Sequence, residues 1–209
     1  MDLAAEVAHR LLQINAIKLS PQKPFTWASG IQSPIYCDNR TLLSYPEIRQ
    51  FMVKSFAQAS AIFQPFNVIA GVATAGIPHG VLLAQELGLP FVYVRSKAKS
   101  HGRQNLIEGV LPAQARVLVV EDLISTGGSA LKAVEALREA EADVVGVMAI
   151  FSYGFDKAEA AFQAAGTSFA TLSTYDALLQ AAAEAEYIAP EEMATLSDWR
   201  KDPEGWGKQ

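Results

Sequence analysis

The sequence predicts an α/β fold, with a mainly parallel central sheet flanked by helices and a small irregular β-region near the N-terminus. Two observations carry this. From residue 67 onward short apolar runs alternate with helix-period segments: "NVIAGVA", "IPHGVLLAQELG", "FVYV", "RVLVVED", "SALKAVEALREAEA", "DVVGVMAIF" and "DKAEAAFQAAG". Strands alternating with helices require right-handed crossovers, hence a parallel sheet covered on both faces. The 209 residues are half hydrophobic, and no repeat, low-complexity tract or long linker divides them. Residues 1–209 are therefore expected to form one domain with a substantial core.

The elements follow in order. Leu3, Val7, Leu11 and Ile14 recur at helical spacing, so the first segment reads as an amphipathic helix packed on the body. Its early acid, and the lack of a basic start and an unbroken apolar core, set it apart from a signal peptide. In "SPQKPFTWASGIQSPIYCDNR", Pro, Gly and Ser punctuate short aromatic and β-branched runs, the pattern of a small irregular β-region over one end of the domain. Pro46 suits the first position of a helix whose stripe is Ile48, Phe51, Met52, Ala59 and Phe63. After the alternating core, "SFATL" reads as a short strand, "TYDALLQAAAEAEY" and "APEEMATLSDWR" as helices, and "KDPEGWGKQ" as a frayed tail.

Charge narrows the function classes. The formal net charge is −5 with pI near 5.2, and no long block carries one sign, so general attraction to nucleic acid or an anionic membrane is not expected. Any anion site must be local. No apolar run approaches the roughly 20 residues that span a bilayer, so a soluble protein is expected. Cys37 is the only cysteine. It allows neither an internal disulfide nor a cysteine metal cluster, makes a reducing cytoplasm the easiest compartment, and reads as a small half-buried residue.

The segment that carries chemistry is "VLVVEDLISTGGSAL", Val117 to Leu131. With Val117 to Val120 as a buried strand, Glu121 and Asp122 emerge at its carboxyl end, and Ser125, Thr126, Gly127, Gly128 and Ser129 lead into a helix. In open parallel sheets that is where ligands bind. Helix N-termini offer unsatisfied N–H groups, and glycines let the backbone approach closely, so a phosphate monoester fits. The acids need donors, such as the vicinal hydroxyls of a sugar, or a divalent cation. A phosphorylated sugar satisfies both halves. Neither G-x-x-x-x-G-K-[ST] nor G-x-G-x-x-G occurs. The bland alternative is a tight turn capped by Ser129 with the acids as solvated charges.

This stretch resembles the phosphoribosyl pyrophosphate (PRPP) signature of the type I phosphoribosyltransferases. The resemblance implies the fold of that family. It places Glu121 and Asp122 on the ribose hydroxyls and Ser125 to Ser129 around the 5-phosphate, with Leu123 and Ile124 completing the PRPP-binding run.

A second segment, "YVRSKAKSHGRQNLIEG" (93–109), is long, polar and without clear period. Arg95, Lys97, Lys99 and Arg103 face no acid between 95 and 103, so this loop could close over a polyanion such as pyrophosphate. Its R-S-K-x-K-x-H-G order is similar to the mobile catalytic loop of the orotate phosphoribosyltransferases, and the likeness to that family covers nearly the whole chain. By that resemblance Arg95, Lys99 and His101 are catalytic and reach the pyrophosphate of PRPP in the neighbouring subunit, which implies a homodimer with shared sites. "FTWASGIQSPIYCDNR" resembles the family's hood over the base, so residues 20–40 are its expected extent. "GVATAGIPHG" resembles its pyrophosphate loop, with Thr74 to Ile77 presenting N–H groups. Ser96, Ala28 and Ala75 stand where the enterobacterial form has lysines, and Tyr153 where it has an arginine for the orotate carboxylate. Ser125 is the position carried over for orotate; Arg40 is a weaker candidate on charge alone. His9 and His79, on predicted helices, read as structural.

The implied reaction moves phosphoribose from PRPP to orotate, giving orotidine 5′-phosphate and pyrophosphate in pyrimidine biosynthesis. Mg²⁺ is held through PRPP rather than by direct protein ligands. A purine or uracil phosphoribosyltransferase is the near alternative. A donor-sensing nucleic-acid-binding regulator is the distant one, and it lacks both the spare length and a basic face here.

Overall fold

The computed structural model describes residues 2–27, 30–97 and 106–206. Helix α1 (Leu3–Gln13) starts at Asp2, whose carboxylate accepts from the Ala5 N–H at 2.8 Å, and it buries Val7, Ala8, Leu11 and Leu12. The irregular β-region follows as two antiparallel pairs. Strand β1 (Ile17–Leu19) pairs with β4 (Ile35–Cys37), and β2 (Phe25–Thr26) pairs with β3 (Gln32–Ser33). Pro46 opens α2 (Pro46–Ala59), where its missing N–H costs nothing. Ile48, Met52 and Phe63 are buried as the spacing predicts, whereas Phe51 and Ala59 are half-buried and Phe56 takes the deeper place at 1% exposure.

The remainder is β5 (Val68–Val72), α3 (Gly76–Leu87), β6 (Phe91–Val94), β7 (Ile107–Glu108), β8 (Arg116–Ile124), α4 (Gly128–Glu139), β9 (Asp143–Ser152), α5 (Asp156–Ala164), β10 (Phe169–Thr174), α6 (Tyr175–Glu184) and α7 (Glu192–Lys201). Six strands form one sheet in the order β10-β9-β8-β5-β6-β7, parallel throughout except for β7. The chain enters this sheet at β5, steps outward to β6, then returns to the other flank of β5 as β8. The order therefore reverses between β5 and β8, which opens a crevice beyond their carboxyl ends. Strand alternation supplies two cores. Leu118 and Val120 join Ile69, Met148 and Ile150 on one face, while Val117 and Val119 join Val68, Ala70, Val147 and Ala149 on the other.

Two elements differ from the sequence expectation. Ile107–Glu108 is a short antiparallel edge strand against Tyr93 and Val94, inside a stretch read as wholly irregular. Two residues are too few to show a period. Strand β8 also continues past Val120: Glu121 pairs with Ala149, Leu123 with Phe151 and Ile124 with Ser152. The acid pair thus lies within a strand rather than in the loop after it. The polar residues end the apolar run, but the β9 ladder keeps the backbone extended.

Helix α3 lies close on the sheet because its contact face is glycine. A Cβ on Gly80 would stand 3.2 Å from Gly71 Cα, and one on Gly71 would stand 2.9 Å from Ile77 Cα. A Cβ on Gly76 would run into the Val120 carbonyl oxygen and stand 3.1 Å from Glu121 Cα. Since the obstacles at Gly76 are backbone atoms, they cannot rotate away. Gly76→Ala is expected to destabilise the protein by about 1–3 kcal/mol in urea unfolding. Gly128→Ala, where the nearest atom is 4.0 Å away, should cause no such loss.

Candidate active site

The β5–β8 crevice gathers most of the described residues that the sequence singles out. Glu121 goes to the α4 side, where Ser129 Oγ donates to its Oε2 at 2.9 Å and the Asp122 N–H donates to Oε1 at 3.0 Å. The Asp122 carboxyl shares a hydrogen bond with that of Glu121 and lies within the field of Asp38 and Arg40. Burial, reinforced by the Asp122 charge, pushes the Glu121 carboxyl up to about 8, and burial also raises Asp122. With both oxygens engaged and 5% exposure, Glu121 braces the crevice from behind. Asp122, only half-buried, is the more accessible acid of the two.

The turn after β8 provides an anion seat. Gly127 holds φ +80°, and a Cβ there would stand 2.7 Å from the Phe162 ring, so only glycine makes the turn. Helix α4 then starts at Gly128 with no side-chain cap. Ser129 does not cap this helix; its hydroxyl is committed to Glu121, so the first-turn amides keep their donors for a ligand. Ser125 is half-buried and Thr126 exposed, while the Leu123 side chain packs on the core and Ile124 is buried in it.

Across the crevice, the Ala73–Thr74 peptide is cis. The Ala73 N–H donates to the Val94 carbonyl at 2.8 Å and the Ile77 N–H to the Thr74 carbonyl at 3.4 Å. The expected Thr74–Ile77 donor run is thus shorter, since Ile77 is turned inward and only the amides of 74–76 lack acceptors among the described residues. Arg95 is tied at its N–H to the Leu106 carbonyl at 2.8 Å, and its guanidinium stands 3.4 Å from Glu108. It lines a 500 Å³ cleft with Ala73, Ser96 and Ser129. Lys99, His101 and Arg103 lie outside the described residues, as does Ala28.

The N-terminal β-region is bonded to the crevice by a residue the sequence did not single out. Asn39, fully buried, donates from Nδ2 to the Asp122 carbonyl at 2.8 Å. In the sequence it was one polar residue in "CDNR", with no spacing to mark it. Cys37 is half-buried as expected, and burial pushes its thiol up, so it is no nucleophile. Arg40 forms a two-point pair with Asp38 at 2.7 and 2.8 Å. His79 is 3% exposed and lowered to about 4 by burial, and His9 lies 3.7 Å from Glu184; neither borders the crevice.

A further cleft of 630 Å³ adjoins the turn, lined by Trp27, Ile31, Ser125, Thr126, Gly154 and Arg200 among others. Behind its Trp27 and Phe155 lining lies an aromatic cluster. Tyr153, 3% exposed, stacks on Phe155 at 5.3 Å and meets Trp27 at 5.7 Å and Trp199 at 5.6 Å.

Among the described residues no group of three or more His, Cys, Asp or Glu side chains is placed to hold a metal ion. A Mg²⁺ ion, which keeps much of its water and often takes one or two carboxylates plus substrate phosphates, still fits Asp122 beside a bound polyphosphate.

The fold and this crevice define a phosphoribosyltransferase, and the phosphoribosyl transferase domain model matches residues 40–164. The chain is 54% identical to the orotate phosphoribosyltransferase of Listeria innocua over 209 residues, all of both chains. The crystal structure of the orotate phosphoribosyltransferase from Aeropyrum pernix superposes with TM-score 0.76 at 26% identity, covering 88% of this chain and 99% of that one. The Mycobacterium tuberculosis H37Rv enzyme in complex with PRPP superposes with TM-score 0.66 at 25% identity, covering 85% and 99%. The chain belongs to the orotate phosphoribosyltransferase family.

The acid pair makes a pH prediction. A carboxyl whose folded pKa is raised contributes stability fully below its ordinary value, near 4.5 for Glu121, and loses it as pH climbs through about 8. Wild-type melting temperature should therefore fall across that window, and Glu121→Gln should flatten the fall. Parallel profiles for the two proteins would contradict a buried, proton-holding Glu121.

Proposed function

We propose that the β5–β8 crevice transfers phosphoribose from PRPP to orotate, yielding orotidine 5′-phosphate and pyrophosphate. One observation carries the reading: the acid pair and the glycine-hydroxyl turn occupy a single strand-to-helix junction, with Ser129 bonded to Glu121 at 2.9 Å. In this reading Asp122 orients the ribose hydroxyls, Glu121 braces Ser129, and the turn amides with Ser125 and Thr126 receive the 5-phosphate. Ser125 also meets the base. The anomeric carbon passes through an oxocarbenium-like state, so the protein's work is to hold ribose and base in line and to stabilise charge on the departing pyrophosphate. The amides of residues 74–76 face that leaving group, and Arg95, Lys99 and His101 supply cationic and donor groups to it. Mg²⁺ bound through PRPP supplies further charge neutralisation.

In the same reading residues 1–209 are one catalytic domain with 20–40 as its hood, and the protein acts as a cytoplasmic homodimer whose cationic loop serves the partner's site. The resemblance of R-S-K-x-K-x-H-G to the family loop supports that arrangement. Among the described residues no helix is long and apolar enough to cross a membrane.

The direct test supplies PRPP and Mg²⁺ with orotate, uracil or hypoxanthine, and orotate should be the base consumed. Lys99→Ala should lower kcat by several orders of magnitude with an unchanged melting temperature. Near-wild-type turnover would remove Lys99 from the chemistry. Asp122→Asn should weaken PRPP binding and slow turnover together. Mixing Lys99→Ala with Asp122→Asn subunits should restore part of the activity through hybrid dimers; no recovery at all would argue for a loop that serves its own subunit.

A further inference from the structure

Resting on the orotate reading, we propose that Arg200, from helix α7, anchors the carboxylate of the base. Tyr153 leaves that role open. Its ring is buried among Trp27, Phe155 and Trp199, and it carries no cation. The next residue, Gly154, is exposed at φ +66°, and a Cβ there would stand 3.8 Å from Arg200 Nη1. The guanidinium thus reaches back from the C-terminal helix to the end of β9, bordering the same 630 Å³ cleft as Ser125 and Trp27.

Three cations border this cleft, and their settings separate them. Lys157 and Lys201 are 72% and 75% exposed at the side chain and pair with Glu204 at 3.9 Å and Asp198 at 2.8 Å, so each is a solvated surface charge. Arg200 is 32% exposed and lies over the Tyr175 ring at 5.8 Å. Asp176 takes Nη1 at 2.7 Å, leaving Nε and Nη2 to donate as a fork. A planar fork held on one side is the geometry that binds a carboxylate at two points. Also lining the cleft is Trp27, whose indole N–H donates to the Ile35 carbonyl at 3.2 Å, which fixes the ring as a platform for a flat heterocycle. Ser125, at the entrance to the phosphate turn, keeps that heterocycle in line with the ribose.

The test compares ligands that differ only in the carboxylate. In Arg200→Ala the affinity for orotidine 5′-phosphate, read by titration calorimetry, should fall about 10- to 100-fold, the scale of a lost charge-assisted pair. Uridine 5′-phosphate affinity should stay within about twofold. The KM for orotate should rise with the KM for PRPP unchanged, and Arg200→Lys should recover part of the loss. Unchanged orotidine 5′-phosphate binding in Arg200→Ala would overturn the assignment. So would an equal loss for both nucleotides with a lowered melting temperature, because that marks a structural role. If wild-type protein consumed no orotate, the functional reading itself would fall; orotate consumed normally by Arg200→Ala would sink the anchor alone.

Discussion

The absence of a side chain at Gly76 sets the geometry of the active end. A Cβ there would occupy the space of the Val120 carbonyl, so α3 can lie against the end of β8 only at this residue type. That approach brings the start of α3 against the backbone of Glu121. Everything downstream depends on it. The two loops bring together carboxylate acceptors from β8 and amide donors from both turns. They cooperate only if backbone meets backbone.

A second layer holds this arrangement electrostatically. Two adjacent carboxylates in a poorly solvated crevice would repel, and burial raises both. A hydrogen bond shared between the two carboxyls eases the conflict, with Ser129 holding Glu121 and Asp122 lying within the field of Arg40. Asn39, just beyond the N-terminal β-region, donates to the Asp122 carbonyl, so the N-terminal segment and the acid strand are one hydrogen-bonded unit.

Much of this was legible in the sequence. The alternation from "NVIAGVA" onward is strong because the central strands β5, β8 and β9 are buried on both faces, and the observed elements fall where those runs do. The junction at 121–129 stood out because acids, hydroxyls and glycines crowd one strand-to-helix turn within nine residues. What escaped was whatever depends on partners distant in the chain. The extension of β8 through the acids needs the β9 ladder, the role of Ser129 needs Glu121 turned toward it, and Asn39 has meaning only 83 positions away from Asp122. Edge strand β7 had too few residues to show a period. Arg200 was hidden for the same reason as Asn39: its neighbour Gly154 belongs to another element.

The aromatic cluster behind the Trp27 cleft has an optical consequence. The chain holds three tryptophans: Trp27 in the N-terminal β-region, Trp199 in α7, and Trp206 just beyond it. Trp27 and Trp199 are 5.8 Å apart with ring planes at 82°, and Trp206 packs against the same core. No indole sits at the far edge of the sheet to dilute the signal. Intrinsic fluorescence from this protein is therefore emitted almost wholly from one end, making the chain its own dye for whatever enters there.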